Sequence, residues 1–224
     1  MNENETFKEQ KKLAILILIG GKSKRFGTEK GLFEFHGKPL ILHQIETLAI
    51  FDEDIYLVAH TLHDINEYYK KIEYPKDVDF IIDDEEVASK IGVRTPLLGV
   101  YSGFRALNKL NFKKAFLLSC DMPLIKSDVI EHMIEQSKGY DCCIPRWKNG
   151  YTEPLFAIYP VKETYLKAEE ILETSHYGLN HLLGEDWNIN FISVEESIKP
   201  LDENLVSLIN INSPIDLEKL VKSF

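Results

Sequence analysis

The sequence predicts an α/β fold: a mostly parallel sheet flanked by helices, with added mixed strands in the C-terminal half. Three observations carry this. Short apolar runs recur, LAILILI at 13–19, DIYLVA at 54–59, VDFII at 78–82, KAFLLS at 114–119 and DCCI at 141–144, and runs that do not alternate belong to strands covered on both faces. Stretches with helical spacing separate them, at 39–50, 65–72, 96–110 and 127–137, and this β-α-β-α order implies parallel strands with helical crossovers. After Asp141 the rhythm changes: PLFAIY at 154–159, INFISV at 189–194 and LVSLIN at 205–210 are spaced by irregular or short helical pieces, so mixed strands are expected there.

Residues 1–12 are polar and charged without an apolar period, which predicts a frayed leader, and 13–224 are expected to form one domain. With 224 residues and 44% apolar side chains the chain can bury one sizeable core. Ser213 as N-cap and Pro214 in a first turn predict a terminal helix. A net charge of −10 repels polyanions, so nucleic acid is not an expected partner. The run at 13–19 is too short to span a membrane, and no signal-peptide cleavage pattern follows it. Cys120, Cys142 and Cys143 lack the Cys-x-x-Cys spacing of zinc or redox motifs. They are expected as small core residues in a reducing cytoplasm.

Directly after the first strand comes IGGKSKRFGTEKG at 19–31, with four glycines and four basic residues in thirteen positions. Glycines bring backbone N–H groups close to phosphate oxygens, and Lys22, Lys24, Arg25 and Lys30 supply countercharge. The position is apt, because open α/β sheets bind ligands beyond the carboxyl ends of their strands. Two familiar phosphate motifs are excluded. A Walker A loop needs glycine five positions before Gly21, where Leu16 stands, and G-x-G-x-x-G fails because Lys22 lies two places after Gly20.

The segment LILIGGKSKRFGTEKGLFEFHGKPLI resembles the signature loop of nucleotidyltransferases. With VDFIIDD, RTPLLGVYSGF, FLLSCDMPLI, EPLFAIY and INSPIDL further on, the chain is similar to the molybdenum cofactor guanylyltransferases over most of 13–224. The resemblance implies a Rossmann-like, GT-A-like nucleotidyltransferase sheet. It also implies that Leu18, Ile19, Gly20 and Gly21 line the nucleotide through main-chain contacts and that Lys30 holds the triphosphate. Lys22 and Arg25 either steady the leaving pyrophosphate or are solvated cations.

Asp121 follows an apolar run where Pro123 stops the strand. One carboxylate on a cation that also bridges phosphates is what Mg²⁺ accepts, and in the family this acid binds the metal; the alternative is an acid that forms a turn or caps a helix. Asn212 is the second expected metal ligand, with helix capping as its rival. The resemblance aligns Asp84 with an acid that binds the guanine nucleotide, and Asp83 is the fallback; the alternative is a solvated run of acids. Gly99 would permit close backbone approach to the base. Three positions depart from the family pattern: Thr95 for glycine, Glu29 for Asp and His60 for Asn. Glu153, Pro154 and Leu155 are acceptor-side candidates, and Tyr151, Phe156 and Tyr159 are expected in core or wall.

The implied reaction joins the nucleotide of GTP to the phosphate of molybdopterin with Mg²⁺ as cofactor, and no Ser, Cys or His nucleophile is required. Transient contact with other cofactor-biosynthesis proteins is implied as well. The alternatives are cytidylyl transfer, nucleotidyl transfer to another small phosphate, and a non-catalytic nucleotide-sensing module.

Overall fold

The computed structural model describes residues 11–20, 29–174, 176–213 and 216. Along the chain run β1 (Lys11–Leu18), β2 (Glu34–Phe35), β3 (Lys38–Pro39), α1 (Leu40–Leu48), β4 (Asp54–Ala59), α2 (Leu62–Lys71), β5 (Val78–Ile82), α3 (Glu85–Ile91), α4 (Pro96–Lys109), β6 (Phe112–Ser119), α5 (Ser127–Gln136), β7 (Cys142–Arg146), β8 (Phe156–Pro160), α6 (Val161–Leu172) and β9 (Ile189–Ser193). Seven strands form one sheet in the order β5-β4-β1-β6-β8-β7-β9, and β2 and β3 make a small separate ladder. The pairs β5-β4, β4-β1, β1-β6 and β7-β9 are parallel, whereas β8 runs against both β6 and β7. Every strand of this sheet except β8 therefore points one way, and one edge collects their carboxyl ends. The mixed pairing falls in the C-terminal half, as the changed rhythm predicts.

Residues of β1 alternate between two apolar layers, as the pleat requires. Ile15 and Ile17 pack with Ile41 and Ile45 of α1, Tyr68 of α2 and Ile130 of α5. Ala14, Leu16 and Leu18 pack on the opposite face with Leu97 and Phe104 of α4 and Ala168 of α6. All five β1 residues from Ala14 to Leu18 are buried, which is why the run reads as continuous rather than alternating. Each Leu or Ile so buried contributes about 1.5–3 kcal/mol. The three cysteines are free and buried as expected, and burial pushes the thiols of Cys120 and Cys143 up to about 12.

Two expectations need correction. The strand begins at Lys11 rather than after residue 12: Lys11 pairs with Phe112 in the sheet, and its ammonium lies 2.7 Å from Asp54. The run LVSLIN is not a strand. Leu205 has a left-handed φ of 52°, and Val206–Leu208 form a 3-10 turn. The buried carboxylate of Asp202 holds that turn by accepting from Ser207 N at 2.8 Å, and Lys126 Nζ pairs with it at 2.9 Å. The expected terminal helix after Ser213 lies outside the described residues, apart from Asp216.

Candidate active site

A cleft of about 330 Å³ opens at the edge where the carboxyl ends of β5, β4, β1 and β6 meet. Each strand delivers residues just past its last pairing: Asp83 after β5, His60 after β4, Gly20 after β1, and Cys120 and Asp121 after β6. Lys30 enters from the 3-10 turn Lys30–Leu32, and Thr95, Pro96 and Gly99 come from the start of α4. This is the strand-end crevice where open α/β sheets bind ligands.

The sequence-predicted trio converges here. Lys30 Nζ donates to Asp121 Oδ2 at 2.7 Å and to Asn212 Oδ1 at 2.9 Å, although up to 182 residues separate the partners in sequence. Both side chains of the ion pair are largely buried, at 15% and 16% exposed, so the pair is screened less than a surface bridge. Asp121 is positioned from two sides. Ile211 N donates to its carbonyl at 2.8 Å, which ties the segment bearing Asn212 to the loop after β6. Gln44 of α1, fully buried, donates its amide to Ser119 O at 3.0 Å and Met122 O at 3.1 Å, clamping the loop on either side of Asp121. Beside Asn212, Asp216 N donates to Ser213 Oγ, and the Asp216 carboxylate accepts from Asn212 N at 3.0 Å.

Asp121 fits a metal ligand. Its Oδ1 is buried and has no hydrogen-bond partner among the described residues, an arrangement that is costly unless an external group satisfies it. No group of three His, Cys, Asp or Glu side chains gathers around an ion site among those residues. A cation here would therefore take one carboxylate together with phosphate and water oxygens, the ligand set of a small hard divalent ion.

The other end of the cleft holds a second charged group. Asp83, with its side chain 1% exposed, accepts from His60 Nδ1 at 2.6 Å and from Arg94 at 3.4 Å, both through Oδ2. Arg94 also donates to His60 O at 3.0 Å and to Glu85 at 2.6 Å. Nδ1 of His60 must carry the proton, since an ionised carboxylate only accepts. The His60 ring lies over Gly20, where a Cβ would fall 2.5 Å from its Cε1, so only glycine lets strand end and imidazole approach so closely.

Asp84, the expected base contact, is not brought to the cleft. Its Oδ1 accepts from Val87 N at 3.0 Å as the N-cap of α3, and its Oδ2 is ion-paired with Arg105. The acid that lines the cleft is its neighbour Asp83. Thr95, which replaces the family's glycine, is the N-cap of α4 and accepts from Leu98 N. Leu18, Gly20 and Gly99 line the cleft, whereas Ile19 is buried and bonded within the fold: its N–H donates to Val58 O at 3.0 Å and its carbonyl accepts from Tyr68. Gly21, Lys22 and Arg25 lie outside the described residues.

Of the residues expected on the acceptor side, Leu155 lines the cleft, and Glu153 accepts from Trp147 Nε1 at 2.7 Å, with burial raising its carboxyl above the usual range. Phe156 and Tyr159 are core residues, whereas Tyr151 is 68% exposed and does not line this cleft. Sequence reasoning missed Gln44 and Arg94. Gln44 falls among Leu40, Ile41, Ile45 and Leu48, the buried stripe of α1, and that placement was the available signal.

Known proteins share this architecture. The MobA-like NTP transferase domain matches residues 15–188. A probable molybdenum cofactor guanylyltransferase of Thermococcus gammatolerans is 35% identical over 210 residues, covering 92% of this chain and 97% of that protein. One of Pyrococcus horikoshii is 32% identical over 208 residues, covering 92% and 97%. The crystal structure of molybdopterin-guanine dinucleotide biosynthesis protein A from Archaeoglobus fulgidus superposes with a TM-score of 0.72 at 25% identity, covering 94% of this chain and all of that one. The strand-end cleft and these matches lead to one conclusion: the chain belongs to the MobA-like NTP transferase family.

Proposed function

We propose that the protein is a guanylyltransferase that moves GMP from GTP to the terminal phosphate of molybdopterin and releases pyrophosphate. The observation that carries this is the convergence of Lys30, Asp121 and Asn212 at one end of a strand-end cleft, in a chain whose relatives are named for that transfer. Family members use a divalent cation, and we assign Mg²⁺, held by Asp121 with Asn212 beside it. When bound, Mg²⁺ offsets phosphate charge and orients the oxygens.

The chain's own residues divide the remaining work. Without substrate, Lys30 and Asp121 neutralise each other. As nucleotide enters, Lys30 turns to the phosphates and Asp121 is freed to act as a ligand, so neither charge is left buried alone. Gly20, with Gly21 and Lys22 beyond it, brings N–H groups and charge to the phosphates, and Arg25 steadies the departing pyrophosphate. Leu18 and Gly99 form walls around the nucleoside. An acceptor phosphate oxygen then bonds to the α-phosphorus of GTP as the bond from that phosphorus to the β-phosphate oxygen breaks. The acceptor is already ionised near neutral pH, so positioning and charge compensation are the main tasks.

The domain at 13–224, with the two preceding lysines added to its first strand, acts as one unit in this reading. No helix among the described residues is long and apolar enough to cross a membrane, and three free buried cysteines accord with our assignment to a reducing cytoplasm. The test is pyrophosphate release with molybdopterin, Mg²⁺ and each of the four nucleoside triphosphates. Release with GTP alone is expected. A strict CTP preference would replace guanylyl by cytidylyl transfer, and nucleotide binding without any release would make the chain a sensor.

A further inference from the structure

One buried hydroxyl touches both ends of the glycine-rich segment 19–31. Tyr68 of α2 is fully buried, and its Oη donates to Ile19 O at 3.4 Å. The same oxygen would lie 2.5 Å from a Cβ built on Gly31, with the ring carbons Cε1 and Cζ at 3.3 Å. A side chain at 31 would push the phenol away, so glycine lets the turn Lys30–Leu32 rest directly on the hydroxyl. The ring belongs to the apolar layer that contains Ile17, Ile41 and Ile65. A hydroxyl in such surroundings is unfavourable unless it bonds, and the partner it finds is the carbonyl just before Gly20. Burial pushes the phenol above its ordinary range, so it keeps its proton and acts as a donor.

That bond sets the direction of the next amide. Tyr68 approaches from α2, which follows β4, and draws the Ile19 carbonyl to the β4 side of β1. The Ile19–Gly20 peptide is trans, so its N–H points opposite to its C=O. The Gly20 N–H is thereby turned toward β6, past whose end Asp121 stands paired with Lys30. Lys30 in turn precedes Gly31, the residue pressed on the same hydroxyl.

We infer that Tyr68 is a positioning residue for phosphate binding: its hydroxyl fixes the Ile19–Gly20 peptide and, through Gly31, the backbone of Lys30, so that the Gly20 N–H and the Lys30 ammonium are aimed together. This rests on the proposed guanylyl transfer, in which those two groups meet the triphosphate. Tyr68 itself is not among the residues lining the cleft, so it acts only through the groups it holds.

The experiment uses the full chain and Tyr68→Phe, which deletes the oxygen and keeps the ring. Calorimetric titration with GTP and Mg²⁺ is paired with steady-state pyrophosphate release from GTP and molybdopterin, both well below the Tm of each protein. GTP binding is expected to weaken about five- to tenfold and kcat to fall about tenfold or more, while KM for molybdopterin stays at the wild-type value. Wild-type GTP affinity and kcat in Tyr68→Phe, whatever its Tm, overturn the inference, because the tyrosine then serves the core alone. Gly31→Ala approaches the same contact from the other side. It is expected to weaken GTP about tenfold, and adding Tyr68→Phe, which removes the atom 2.5 Å from the new methyl, is expected to recover part of that loss. If Tyr68→Phe does not fold, Gly31→Ala decides: unchanged GTP affinity with native melting overturns the inference. A wild type that binds GTP but releases no pyrophosphate overturns the guanylyltransferase reading instead, and the titrations still decide the role of Tyr68.

Discussion

Replacing Gln44 by Leu removes two hydrogen bonds without removing volume, and the structure gives a size for each consequence. The side chain is fully buried, and its amide donates to Ser119 O at 3.0 Å and Met122 O at 3.1 Å. Losing two buried bonds of about 1 kcal/mol each, with some penalty for the carbonyls left behind, gives roughly 2–4 kcal/mol of destabilisation. For a chain of this length that is a fall in Tm of about 5–15 °C. The same two carbonyls flank Asp121, so the carboxylate proposed to hold the metal loses its clamp. A shift near 1 Å at a reacting centre lowers turnover about 100-fold. The Asp83 end of the cleft has separate supports in His60 and Arg94, so KM for GTP is expected to change much less than kcat. The assay pairs thermal melting with steady-state pyrophosphate release at saturating Mg²⁺ and well below Tm. A lowered Tm with wild-type kcat would refute the reasoning, because Gln44 would then support the core and not the position of Asp121.

Four further outcomes follow from the geometry. Lys30→Gln keeps length and polarity but removes the charge proposed to meet the phosphates; kcat/KM measured by pyrophosphate release is expected to fall about 10²–10³-fold, with Tm lowered because the largely buried Asp121 carboxylate loses its charged partner. Gly20→Ala places a Cβ 2.5 Å from the His60 ring; calorimetry should show weaker GTP binding, melting should show a lower Tm, and adding His60→Ala should restore part of the Tm. Burial pushes the Asp202 carboxyl up, but Ser207 and Lys126 outweigh it and hold its pKa below the ordinary value. A depressed folded pKa stabilises above the unfolded value of about 3.9 and ceases to do so as pH falls through the folded value; the Tm advantage of wild type over Asp202→Asn should be full at pH 5–7 and shrink below about pH 4. Burial raises all three thiols, so a thiol reagent near neutral pH should label none of them in native protein and three after denaturation.

Long-range order was legible where physics wrote it into contiguous residues. The runs at 13–19, 54–59 and 114–119 became β1, β4 and β6 because strands covered on both faces are apolar over most of their length, and 78–82 became the half-buried edge strand β5. Helix α6 was missed because two of its buried positions are Thr164 and Ala168, which blur the apolar stripe. LVSLIN looked like a strand, but its backbone is set by a polar group brought from outside the run, the Asp202 carboxylate at Ser207 N. At the site, Lys30, Asp121 and Asn212 could be named in advance, while their contact depends on tertiary structure that no local pattern encodes. Choosing between Asp83 and Asp84 turned on direction. Neighbours leaving a strand point to opposite sides, and the one followed by Glu85 and Glu86 capped a helix. Thr95 reads the same way in retrospect, as a cap before Pro96.

What everything rests on is that Lys30 and Asp121 form a joint grip on a metal-bound nucleotide and not a structural ion pair. Asp121→Ala, with Tm measured alongside, separates these most directly through the rate of Mg²⁺-dependent pyrophosphate release from GTP and molybdopterin. The account predicts turnover reduced to background in a protein that still melts cooperatively near the wild-type temperature. Wild-type turnover in that variant, at any Mg²⁺ concentration, would contradict it.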